Sequence, residues 1–174
     1  MTKHIELRRH TDNDGDVLSP EGIAAAVATG KTLPGPYALL VSSGAQRATQ
    51  TAACLLAGLA TTVPGGVIVD TDFRSAHEDR WKAAYAETGS GRITDFLQAA
   101  PELVAAEAAQ FAQAVRRVAT LLPDSGRALV VGHSPMHEAA VYGLTGKLIE
   151  PLGKGQAVIL RFDADDQIAI AVHA

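Results

Sequence analysis

Apolar positions along this 174-residue chain change period repeatedly, from the alternation or short unbroken runs of strands to the three- and four-residue spacing of helices. Near the start, Ile5 and Leu7 alternate with polar neighbours, which predicts a short strand whose end carries Arg9 and His10 into a loop. The polar run from Asp12 to Asp16 reads as loop by composition. Ser19-Pro20-Glu21-Gly22 then opens an alanine-rich helix, with Ser19 as N-cap and Pro20 in the first helical position; Gly30 and the Pro34-Gly35-Pro36 cluster end it. Residues 38–41 are continuously apolar and predict a buried strand that stops at Ser42-Ser43-Gly44. Ala45, Ala48, Ala52, Leu55, Leu56 and Leu59 fall at helical spacing, so residues 45–60 are expected to be a helix, with Arg47 in its first turn.

The second half repeats the theme. Residues 67–69 predict a third short strand, and residues 70–91 turn polar and irregular, as in a loop or short helical lid. A short helix is expected over 92–100. Pro101 starts a longer one, whose Val104, Ala108, Phe111, Val115, Val118 and Leu122 form one apolar stripe. Residues 128–131 are another buried strand, followed by Gly132-His133-Ser134-Pro135 and a helix over 136–144. Strands over 157–162 and 168–172, joined by a turn at 163–166, close the chain. This alternation predicts an α/β protein, a three-layer α/β/α sandwich around a mostly parallel sheet, in one domain spanning residues 1–174.

Composition narrows the chemistry. The net charge of -4 argues against a nucleic-acid surface, so any anion binding must come from a few converging cations. No apolar run reaches the roughly 18 residues of a membrane span and the N-terminus lacks the apolar core of a signal peptide, so a cytoplasmic protein without membrane partners is expected. The single cysteine, Cys54, excludes an internal disulfide and a cysteine-based zinc site. A cysteine-phosphatase loop would want an arginine six residues later, where Ala60 stands, and Cys54 reads as packing inside its helix.

Three predicted strands pass into segments that carry Arg9 and His10, Arg47, and His133. If these strands are parallel, the segments share the crevice beyond their carboxyl ends. Two guanidiniums and two imidazoles there suit a phosphate, since arginine can hold its oxygens in bidentate fashion. Arg47 supports this reading, because a cation near a helix N-terminus opposes the macrodipole and makes better sense with an anion beside it.

The motifs Arg9-His10-Thr11, Ser42-Ser43-Gly44-Ala45-Gln46-Arg47-Ala48-Thr49-Gln50-Thr51-Ala52 and Gly132-His133-Ser134-Pro135, in that order, resemble the histidine phosphatase superfamily, also called phosphoglycerate-mutase-like. Leu18-Ser19-Pro20-Glu21-Gly22 resembles the family's helix start. The resemblance implies that His10 attacks phosphorus and becomes a phosphohistidine while Arg9, Arg47 and His133 hold the equatorial oxygens, with no metal or other cofactor required. It implies substrate contacts from Thr11, Asn13 and Ser134. A nucleophilic His10 needs an unprotonated attacking nitrogen, so its other ring nitrogen is expected to bond a backbone carbonyl.

Two positions depart from the family pattern. Thr11 stands where glycine is usual, and either donates a hydrogen bond to phosphate or narrows the pocket. The usual proton-donor glutamate, six residues before a tryptophan, is replaced by Ser75 when counted back from Trp81. Glu78 is the nearest substitute, flanked by His77 and Asp79, and Glu138 is a second candidate. If the substrate is itself a phosphohistidine, the imidazole leaves readily once protonated, and the short chain resembles the small phosphohistidine-phosphatase branch.

The expected function is therefore a metal-independent phosphatase acting on a phosphorylated small molecule or a phosphohistidine protein. Three alternatives stand beside it: a non-catalytic phosphate-ligand or phosphoprotein binding module, a mutase-type phosphotransferase, and a metal-dependent phosphohydrolase using the Asp12 to Asp16 cluster. The pattern assigns no oligomeric state. Other near-motifs fail: Val141 replaces the second histidine of a zinc-protease motif after His137-Glu138, and Met136 replaces the second glycine of a serine-hydrolase elbow.

Overall fold

In the computed structural model, which describes residues 2–173, the changes of period resolve into a layered α/β architecture. The first half contains β1 (Lys3–Arg9), β2 (Asn13–Asp14), β3 (Val17–Leu18), α1 (Pro20–Gly30), β4 (Leu39–Ser42), α2 (Gln46–Leu59) and β5 (Val67–Val69). After a 3-10 turn at Thr71–Phe73 come α3 (Glu78–Thr88), α4 (Ile93–Ala99), α5 (Pro101–Leu121), β6 (Arg127–Gly132), α6 (Met136–Thr145), β7 (Ala157–Phe162) and β8 (Ile168–His173).

The main sheet has the order β5-β4-β6-β1-β7-β8. Its first four strands are mutually parallel, with Ile5 beside Ala128, Leu40 beside Leu129 and Leu40 beside Val67; β7 and β8 add antiparallel neighbours. Burial on both faces explains why residues 128–131 read as one continuous apolar run. Ile5, Leu7, Val41, Ala128 and Val130 pack into one core with side chains from α3 to α6, including Phe96, Phe111 and Val115. Leu40, Leu129 and Val131 point the other way, against Ala48, Ala52 and Leu55 of α2.

The α1 and α2 helices touch backbone to backbone. A Cβ on Gly58 would lie 2.1 Å from the Val27 carbonyl oxygen, and one on Gly30 would lie 2.3 Å from that of Leu55. Gly30 thus does more than stop a helix, because it lets α2 approach closely and so fixes the helix whose first turn carries Arg47. At the other end of α1, Ser19 caps as expected, its hydroxyl accepting from the Gly22 amide at 3.0 Å.

The polar partners of Ile5 and Leu7 are buried as well. Glu6 accepts bonds from the guanidinium of Arg8, at 2.8 Å from Nε, and from the Tyr37 hydroxyl at 2.9 Å, while Arg8 also donates to the Gly155 carbonyl. These groups satisfy one another in place of water, which makes their burial tolerable. The Asp12 to Asp16 loop is more ordered than its composition predicts, since its residues pair through the two-residue ladder of β2 and β3. No described helix is long and apolar enough to cross a membrane.

Candidate active site

The parallel strands end on one side of the sheet, and their continuations build a single cleft. Arg9 closes β1 and His10 follows it, with the His10 amide bonded to the Gly132 carbonyl at 3.0 Å. His133 follows β6 directly, and the Ser43 amide, just beyond β4, bonds the Val131 carbonyl at 3.0 Å. Arg47 is the second residue of α2. Arg9, His10, Arg47 and His133 all line the cleft, which encloses about 700 Å³.

The hydrogen bonds in this corner assign the imidazole protons. His10 Nδ1 lies 2.8 Å from the Thr11 carbonyl oxygen, which can only accept, so this nitrogen carries the proton. His10 Nε2 faces Arg47 Nε at 3.3 Å, and a guanidinium only donates, so Nε2 presents its lone pair. The same guanidinium reaches His133 Nδ1 at 3.3 Å, leaving His133 Nε2 to donate to the Ser43 hydroxyl at 2.8 Å. The two rings meet edge-on with centroids 5.4 Å apart.

Electrostatics favour the same state. Burial, followed by the charges of Arg47, Arg9 and Lys154, lowers the His10 pKa to about 4 despite the bond to the Thr11 carbonyl. Burial and then Arg47 hold His133 well below the usual histidine range. Beneath them His137, fully buried, is lowered to about 4, chiefly by burial; its Nε2 bonds the Arg8 carbonyl at 3.0 Å and so braces the turn into His10. Arg9 donates to the Leu152 carbonyl at 2.8 Å, and its Nε is buried without a hydrogen-bond partner among the described residues. The corner therefore holds an unprotonated imidazole nitrogen against the Arg47 guanidinium, with the Arg9 guanidinium lining the same cleft.

The remaining candidates divide. Asn13, Ser134 and Glu78 line the cleft. Glu78 opens α3 and is held by Arg74 Nε at 2.9 Å, while Ser75, also in the lining, accepts from the His77 amide. Thr11 is a correction, because it neither faces the cleft nor narrows it. Its amide donates to Thr51 Oγ1 at 3.2 Å, its hydroxyl lies 3.3 Å from the same atom, and its methyl lies where a Cβ on Gly155 would meet it at 3.4 Å. Glu138 is likewise drawn behind the wall, where it accepts from the Ser134 hydroxyl and from the Leu152 amide at 2.7 Å. Burial raises its pKa against those two bonds and the charge of Arg9. The acidic loop does not converge: Lys154 and Ser19 engage Asp12, while Asp16 reaches Arg47 at 2.8 Å. Cys54 is half-buried in α2, as a packing residue would be.

The family model described as the histidine phosphatase superfamily (branch 1) matches residues 2–165. The chain belongs to the histidine phosphatase superfamily. Among solved structures, a mycobacterial glucosyl-3-phosphoglycerate phosphatase is 19% identical over 100% of this chain and 98% of its own, with a TM-score of 0.72. A phosphoglycerate mutase from Bacillus anthracis is 14% identical over 99% and 92%, with a TM-score of 0.75. A phosphoserine phosphatase from Entamoeba histolytica, solved with 3-phosphoglyceric acid, is 15% identical over 99% and 97%, with a TM-score of 0.75. No curated protein matches the sequence significantly. The fold of this histidine phosphatase superfamily member is thus phosphoglycerate-mutase-like, and the superfamily places it with phosphatases and phosphotransferases.

Three parts of the site are not singled out by the sequence. Ser43, which receives the His133 proton, lies within the middle motif but carries no signal separating it from Ser42. Asp16 reaches Arg47 only because β2 and β3 fold back. The wall of Trp81, Lys82 and Tyr85 forms because α3 turns one helical face to the cleft.

Proposed function

We propose that this protein is a phosphatase that hydrolyses a phosphomonoester or a phosphohistidine through a covalent phosphohistidine on His10. The observation that carries this reading is the state of His10, whose Nδ1 proton is committed to the Thr11 carbonyl and whose Nε2 lone pair faces Arg47 in the cleft. In the first step Nε2 forms a bond to phosphorus as the bond to the leaving group breaks. Arg9, Arg47 and His133 surround the phosphoryl oxygens, and His133 becomes a donor to them once it takes a proton in the presence of the dianion. Glu78 relays a proton taken from solvent to the departing group, and Asn13 and Ser134 contact the bound substrate. Water then attacks the phosphohistidine, releasing phosphate and restoring the free imidazole.

The pairing of Arg47 with Asp16 fits this sequence of events. A carboxylate engages the guanidinium before substrate arrives, and a phosphate oxygen takes its place.

Steady-state turnover of p-nitrophenyl phosphate, phosphoramidate and a phosphohistidine peptide, for the unaltered protein and for His10→Ala, tests the reading. Turnover that falls at least about a thousandfold in the variant, and that survives a chelator, is expected. Phosphate binding without turnover of any substrate would make the protein a binding module, and loss of activity to the chelator would favour a metal-dependent reaction.

A further inference from the structure

The phosphate corner occupies only one end of the cleft. A volume of about 700 Å³ lies within the ~300–1,000 Å³ typical of sites that enclose a whole small molecule, so most of it faces the group that carries the phosphate. That region is walled by Trp81, Tyr85, Phe96, Pro135, Met136 and Pro151. Trp81 stands edge-on to Phe96 with centroids 5.1 Å apart and gives its indole N–H to Glu107 Oε2 at 2.5 Å; both rings are almost wholly buried and form the backing of the wall, behind Tyr85. Tyr85, one helical turn further along α3, remains 55% exposed, a large aromatic ring left uncovered at the cleft edge.

Cations are scarce here. Apart from Arg9 and Arg47 in the phosphate corner, the only lysine or arginine among the described lining residues is Lys82, whose side chain is 75% exposed. A small phosphorylated acid would find one solvated ammonium for its carboxylate, and a polyol would have to compete for polar side chains already engaged within the chain: Asn13 with the Gly15 carbonyl, Ser75 with the His77 amide, Glu78 with Arg74 and Ser134 with Glu138.

We infer that the leaving-group side of this cleft is a subsite for a planar, apolar body, so that the substrates are small-molecule phosphomonoesters of aromatic alcohols, with Tyr85 as the principal specificity-determining residue. The inference rests on the phosphatase reading above and adds the substrate class to it. A planar ring stacks on the Tyr85 face and covers the half-buried Pro135 and Pro151, which removes apolar surface from water only when such a ring is present. The phosphate end is untouched by this preference.

The test compares 2-(2-naphthyl)ethyl phosphate with ethyl phosphate, whose leaving alcohols are both unactivated, so that ring binding is separated from leaving-group chemistry. A KM about tenfold or more lower for the naphthyl ester is expected, and Tyr85→Ala should erase most of that difference while leaving KM for ethyl phosphate unchanged. Binding of the matching naphthyl phosphonate, followed through the fluorescence of Trp81, the sole tryptophan, gives a readout independent of turnover. Equal KM values for the two esters, an equal effect of Tyr85→Ala on both, or preference for a phosphohistidine peptide over the naphthyl ester would overturn the subsite. Retention of phosphoryl transfer to His10 in that case would leave the phosphatase reading standing, whereas its absence with every ester would remove that reading itself.

Discussion

Lowering the pH from 7.5 to 5 perturbs the site at the atom on which the proposed chemistry depends. An ordinary histidine with a pKa near 6.5 is about 97% cationic at pH 5, whereas His10, lowered to about 4, is only about a tenth cationic. The cause is structural: burial comes first, and the guanidiniums of Arg47 and Arg9 then oppose a third positive charge. The sign of the linked stability follows. The folded state resists a proton that the unfolded chain accepts, so stability is full above pH 6.5 and falls as the pH drops from 6.5 through 4, by about 3 kcal/mol for this group. Long-range ¹H–¹⁵N correlation spectra of the imidazoles give the assay. His10 is expected to show a neutral ring protonated at Nδ1 from pH 7.5 to 5, and Arg47→Ala should move its titration upward, since one opposing charge is lost. A midpoint near 6.5 in the unaltered protein, or a proton on Nε2, would refute the reasoning, because the lone pair would then be absent or aimed at the Thr11 carbonyl.

Other consequences can be checked separately. Glu78→Gln should slow hydrolysis of alkyl phosphates about a hundredfold and leave p-nitrophenyl phosphate nearly unchanged, since only the poor leaving group needs a proton; equal rates on both would remove Glu78 from the mechanism. Asp16→Asn should tighten inhibition by inorganic phosphate a few-fold, on the order of the modest strength of a half-exposed ion pair, and weaker inhibition would show that Asp16 supports Arg47 instead of competing for it. Gly58→Ala drives a methyl to 2.1 Å from the Val27 carbonyl oxygen, so chemical denaturation should report a loss of about 3 kcal/mol or more. A loss below about 1 kcal/mol would mean that α1 and α2 separate easily.

Elements whose pattern answers to one environment were legible in the sequence. Residues 128–131 are apolar throughout because β6 lies between β1 and β4 under both helical layers, and the stripe from Val104 to Leu122 faces a single core. The segment containing α3 was not, because this helix buries only Trp81 and Ala84 and presents Glu78, Lys82 and Tyr85 to a cleft. No apolar period results, and a full eleven-residue helix reads as irregular lid. Glu107 lies buried beside an otherwise apolar stripe because its partner Trp81 is 26 residues away, a distance that no local pattern spans. Glu6 and Arg8 were misleading in the opposite way: alternation implies an exposed face, yet Tyr37 and the Gly155 carbonyl allow both to be buried.

The convergence of Arg9, His10, Arg47 and His133 on one cleft was legible because each sits in a short motif beyond a strand end, and parallel pairing brings those ends together. Thr11 was not, since its orientation is set by Thr51 on α2, forty residues later. The position of the proposed proton donor was only half legible. Ser75 marks the lost carboxylate in the sequence, but only the start of α3 shows that Glu78 reaches the cleft while Glu138 lies behind Ser134.

The most direct test of the central claim is to quench the reaction with a rapidly turned-over phosphoramidate within its first turnover and map the bound phosphoryl group by mass spectrometry under alkaline conditions. An acid-labile, alkali-stable adduct on His10 is expected, approaching about one per chain if its hydrolysis is the slower step, and none in His10→Ala. Turnover that proceeds without this adduct, or that persists undiminished in His10→Ala, would contradict it.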